Sequence, residues 1–143
     1  MKALTRIATL AGVAAVTVFG MVTASAHHST AAFDNTVVVK IEGTITQFRW
    51  QNPHASIKID GVTEGDAPDG VWTIEMTGPH VLVNQGWKRN SVKVGDKVTM
   101  YVNPLRTAAV LNDGSTGSLY VGAVLADGSK LGRTDGKGQG SAN

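Results

Sequence analysis

The chain has no cysteine. This excludes a disulfide framework, thiolate nucleophiles and any thiolate-bound zinc or copper site. Proline is scarce at four residues, aromatics make up 6% and charged residues 17% of the 143 positions. No Gly-x-Ser-x-Gly elbow, His-Glu-x-x-His helix, phosphate loop or dinucleotide fingerprint occurs, so an enzyme and an organic cofactor are not expected. The acids Asp60, Glu64, Asp66 and Asp69 lack the alternating spacing and terminal Glu of a calcium loop, and read as a solvated hairpin.

Charge of one sign is also missing. Lys and Arg number 13 against 11 Asp and Glu, but Lys2 and Arg6 belong to a segment that reads as a leader. They are followed by an apolar run from Ile7 to about Val22 and then by Thr23-Ala24-Ser25-Ala26, the charged, apolar and small-residue parts of a secretory signal. Residues 1–26 are therefore expected to be removed on export to the periplasm or medium, leaving no membrane span. The remainder balances at 11 basic and 11 acidic residues, without a Lys/Arg cluster, so nucleic acid is not an expected partner. Stability must then come from an apolar core, which about 117 residues can supply.

The exported part opens with an arm, residues 27–36, in which Phe33 is the apolar anchor. Val37 to Trp50 reads as a long first strand: Val37, Val39, Ile41 and Ile45 share one parity, Phe48 and Trp50 the other. Such a phase change needs a bulge or bend, at Gly43 or at the Thr46-Gln47 step. Asn52-Pro53 then forces a corner that hands His54 to a second strand alternating at Ala55, Ile57 and Ile59. Gly61 to Gly70 reads as a loop, and Val71 to Thr77 as a third strand with Trp72, Ile74 and Met76 on one face. Pro79 suits the first position of a short helix over His80 to Gln85, with Gly86 as its stop. A fourth strand alternates at Val98, Met100 and Val102; a fifth runs from Ser118 to Leu125, and Asp127-Gly128-Ser129 turns back through Lys130-Leu131. From residue 132 onward the composition predicts a disordered tail.

Three strands, a short helix and two or three further strands predict an all-β, OB-like Greek-key barrel of five to six strands over residues 37–131. An immunoglobulin-like sandwich, with about seven strands and no helix, ranks second.

The chemistry rests on four histidines, at 27, 28, 54 and 80. A cut after Ala26 would give His27 a free α-amine beside its imidazole, a chelating pair for Cu(II) or another borderline divalent ion such as Zn(II). His28 adds a second imidazole, although neighbours in an extended strand point opposite ways. His54 and His80 are separated by a strand, a loop and another strand, and spacing does not say whether they meet at one end of a barrel. The plainer readings are a solvated arm, a histidine satisfying a turn carbonyl and a surface residue in a first helical turn. Met76 and Met100 alternate with apolar neighbours and read as core, as does Trp72, while Trp87 is expected to plug a barrel end. Trp50 and Asn52, on the corner, are candidates for contact with a ligand or partner.

Taken together, His27-His28-Ser29 with Phe33-Asp34, Gly43 through Phe48 and Trp50, Asn52-Pro53-His54, Gly86-Trp87, Gly95-Asp96, Asn103-Pro104-Leu105-Arg106 and Asp127-Gly128 resemble a family of small exported bacterial proteins of unknown function, over nearly all of the mature chain. More loosely, the layout is similar to the periplasmic OB-barrel metallochaperones of copper and silver efflux. Those use a Met, Met, His and Trp constellation, whereas the methionines here read as inward-facing. The leading expectation is an exported binding protein that holds a copper-type divalent metal through its histidines. The alternative is a metal-free interaction module, with Trp50 and Asn52 meeting a protein, peptide or envelope glycan.

Overall fold

The computed structural model describes residues 30–107 and 110–139. The segment read as a signal peptide lies outside them. Six strands follow one another as β1 (Val39–Arg49), β2 (Ser56–Thr63), β3 (Gly70–Glu75), β4 (Lys97–Pro104), β5 (Thr116–Val124) and β6 (Lys130–Gly132), with one helix, α1 (Pro79–Asn84), between β3 and β4. The sheet runs β3-β2-β1-β4-β5-β6, and a parallel pairing of β3 with β5 closes the first five strands into a barrel. The first residues of β5 pair with β3 and its last three with β6, so one edge of β5 is shared by two partners. This is the OB-like barrel that the succession of elements predicts.

The phase change in β1 is a bulge. Ile45 pairs with Ile59 and Gln47 with Lys58, which leaves Thr46 without a partner on β2. Before it, Ile41 and Ile45 face the core; after it, Phe48 packs against the same core from the other parity. Ile57, Ile59, Trp72, Ile74, Met76, Met100 and Val102 complete the interior, as the period-2 pattern requires.

Helix α1 ends as its sequence predicts. Gly86 takes φ 90°, the Gly86 N–H donates to the Val83 carbonyl, and the Trp87 N–H donates to the Leu82 carbonyl. That is the Schellman arrangement, in which a left-handed glycine satisfies the last carbonyls and reverses the chain. The reversal drives Trp87 into the barrel end, where it is wholly buried and its Nε1–H donates to the Tyr120 hydroxyl at 3.0 Å. Burial pushes the Tyr120 phenol up to about 12. An unfolded tyrosine ionises near pH 10, so this stabilisation is complete below about pH 10 and is lost as pH rises through the folded value. The alkaline loss of stability between these limits should be smaller in Tyr120→Phe, measured by denaturant midpoints at pH 9 and pH 11.5. At neutral pH that variant should cost about 1–3 kcal/mol, because the indole N–H loses its buried acceptor.

The arm enters through a short 3-10 turn, Thr30–Ala32, and Phe33 is buried in a bridge with Leu105. Residues 133–139, expected to be disordered, instead lie against the barrel. Arg133 N–H donates to the Val121 carbonyl, Gln139 N–H to the Asn35 carbonyl, and the Asn35 amide to Gln139 Oε1. The composition argument tests only for apolar burial, and this segment is held by hydrogen bonds. Among the described residues no helix is long and apolar enough to cross a membrane.

Candidate functional site

The corner from Trp50 to His54 and the start of α1 meet at one end of the barrel. Beyond β2 and β3 the pairing continues, with Met76 N–H donating to the Ala55 carbonyl and Ala55 N–H to the Thr77 carbonyl. Gly78 is buried against the corner: a Cβ there would lie 2.8 Å from the Pro53 carbonyl oxygen, with His80 Nδ1 at 3.5 Å and Asn52 Oδ1 at 3.8 Å. Only a residue without a side chain permits that approach. The Asn52–Pro53 peptide bond is cis.

The two histidine-bearing segments are thus neighbours, but their side chains have different surroundings. His54 is partly exposed and its Nδ1 lies 2.5 Å from Glu75 Oε1, at the end of β3. His80 is exposed in the first turn of α1. Among the described residues there is no group of three or more His, Cys, Asp or Glu side chains placed to hold a metal ion. His27 and His28 lie outside the described residues. The arm nevertheless leads to His54: a cavity of about 230 Å³ is walled by Thr30 and Phe33 of the arm together with His54, Glu75, Met76 and Leu119.

Glu75 is the residue that strand periodicity does not reveal. Its parity places it outward with Thr73 and Thr77, which reads as ordinary solvation. Only the β2–β3 register, with Ser56 opposite Glu75, carries the carboxylate to the imidazole. With Nδ1 engaged by a carboxylate, the imidazole keeps Nε2 as its remaining coordinating atom, and the carboxylate orients the ring.

Trp50 and Asn52 sit on the same corner. Trp50 is half-buried and stands edge-on to Phe48, centroids 5.7 Å apart, while Phe48 lies 6.3 Å from Trp87. Asn52 is exposed. Met76 and Met100 are at most 1% exposed and belong to the core, and Met76 also lines the cavity beside His54.

Fold and site together define a small OB-like barrel with a histidine–carboxylate pair at one rim. The chain belongs to a family of unknown function (DUF6152), whose family model matches residues 15–114. No curated protein and no solved structure matches the chain.

Proposed function

We propose that the protein is an exported, non-enzymatic barrel that binds a divalent transition metal of the Cu(II) type at the His54–Glu75 rim, with the arm histidines as further ligands. One observation carries this reading: the His54–Glu75 pair shares its cavity with Thr30. His28 lies two residues before Thr30, a span of at most about 7 Å of extended chain. The proposed site takes its further donors from His27 and His28.

In this reading His54 and the arm nitrogens bind the ion, and Glu75 holds the His54 ring rather than binding the metal itself. A set of imidazoles plus a terminal amine favours Cu(II) or Zn(II) over Cu(I). His80 is a candidate fourth donor from the adjoining helix.

The test is Cu(II) titration of the purified exported form, followed by visible absorption and electron paramagnetic resonance. His54→Ala should weaken binding at least tenfold, and Glu75→Gln about tenfold, the lower end for a ring-orienting carboxylate. One residue added before His27 should also weaken it if the α-amine is a ligand. Unchanged affinity in all three variants would remove the metal site, and the metal-free interaction module using Trp50 and Asn52 would take its place.

A further inference from the structure

At the other end of β3 from His54 lies a second cavity, of about 410 Å³, which shares no residue with the His54 site. Its wall is mostly hydrocarbon and includes Val39, Ala67, Pro68, Trp72, Leu105 and Gly117. Val37 and Val110 line it while remaining 43% and 71% exposed, a placement of large apolar side chains that a lone barrel does not require.

The wall is preformed. Trp72 Nε1–H donates to the Pro68 carbonyl, Thr63 Oγ1–H donates to the Ala67 carbonyl, and the Asp69 carboxylate accepts from the Thr63 N–H. These bonds hold the β2–β3 loop and engage the Ala67 and Pro68 carbonyls, so these two residues present carbon to the space. On the barrel side, Asn103 fixes the start of β1 by donating to the Val37 carbonyl at 2.6 Å.

Two carboxylates complete the lining, Glu64 and Asp66. They differ in what they have left to offer. Glu64 is paired with Lys40 at 2.7 Å, and Lys40 is shared with Glu42 at 2.8 Å. Asp66 is exposed and has no ion-pair or hydrogen-bond partner among the described residues. A preformed apolar cavity of this size with one uncommitted anion in its lining is suited to a small ligand having a hydrocarbon body and a single positive charge.

We propose that this cavity binds a small amphiphilic amine, its aliphatic or aromatic body against Trp72, Leu105 and Ala67 and its ammonium at Asp66. A fatty carboxylate of the same length would meet Glu64 and Asp66 as like charges, so the site discriminates by the sign of the headgroup.

The experiment is an amide chemical-shift titration of the purified metal-free protein with n-octylammonium, n-octanol and n-octanoate, each below its aggregation concentration. Octylammonium should shift Val38, Ala67, Thr116 and Gly117 saturably and bind more tightly than octanoate. Asp66→Asn, an exposed change that leaves the core untouched, should lower the amine affinity by up to about fivefold, the measure of an exposed charge pair, and leave octanol unchanged. Ala67→Phe should abolish binding of all three by filling the space. Shifts elsewhere on the surface, no saturation, octanoate binding as tightly as the amine, or an amine affinity indifferent to Asp66→Asn would each overturn the proposal. None of these outcomes bears on Cu(II) binding at His54.

Discussion

Trp87→Ala is expected to lower the unfolding free energy by about 3–5 kcal/mol, the range for deleting a fully buried tryptophan. The indole is wholly buried, tilted against Phe48 and edge-on to Tyr120 at 5.5 Å, so its removal empties the end of the barrel that α1 covers. It also leaves the Tyr120 hydroxyl without its indole donor. Against a total stability of about 5–15 kcal/mol for an ordinary domain, that is a large fraction. Trp87→Phe should recover part of it, since a phenyl ring still fills part of the space, while the hydrogen bond and the remaining indole volume are lost. Urea midpoints at constant m-value measure both changes. A shift in Trp87→Ala worth less than about 1 kcal/mol would mean that this end collapses around the gap, against the packing argument.

Gly43→Ala is expected to cost about 3 kcal/mol, the upper part of the range for overpacking. Gly43 faces Gly61 across β1 and β2, and a Cβ on it would lie only 2.3 Å from the Asp60 carbonyl oxygen and 2.7 Å from the Gly61 Cα. Both obstacles are backbone atoms of a paired strand, so no side-chain rotation relieves them. Because β1 also pairs with β4 at this position, a shift of the main chain disturbs both of its ladders. Gly65→Ala supplies the contrast: its φ is 86° and nothing lies within 4 Å, so it should cost only about 1–2 kcal/mol, from the left-handed conformation alone. Denaturant unfolding of the two variants separates close approach from backbone conformation. Equal losses would contradict the steric account.

Much of the barrel was legible because it depends on periods of two. Trp72, Ile74 and Met76 announce the buried face of β3, and the broken parity between Ile45 and Phe48 announces a bulge near the Thr46-Gln47 step. Gly86 followed by Trp87 announces a helix stop and the plug behind it. Each of these signals is local, carried by residues a few positions apart whose geometry follows from the main chain. Gly43 was legible only as a candidate bend; what it does, letting two backbones touch, needs the strand opposite.

The candidate sites were less legible. His54 stands out beside Asn52-Pro53, yet its partner Glu75 is 21 positions away and reads as a solvent-facing strand residue. The apolar cavity escapes altogether, because its walls come from the start of β1, the β2–β3 loop, the end of β4 and the start of β5, none of which is unusual alone. Residues 133–139 escaped for a related reason: their glycines and polar residues form no core, but main-chain hydrogen bonds to Val121 and Asn35 need none.

Residue order alone thus determined the all-β class, a barrel of five to six strands, the helix and its cap, and the inward placing of Met76 and Met100, all of which follow from alternation and turn chemistry within short windows. Tertiary structure alone decided that the corner and the helix start share one end, that a carboxylate engages His54, and that an apolar cavity lies at the opposite end of β3. Those are contacts between distant strands, set by register and closure, and none is encoded in any window short enough to read.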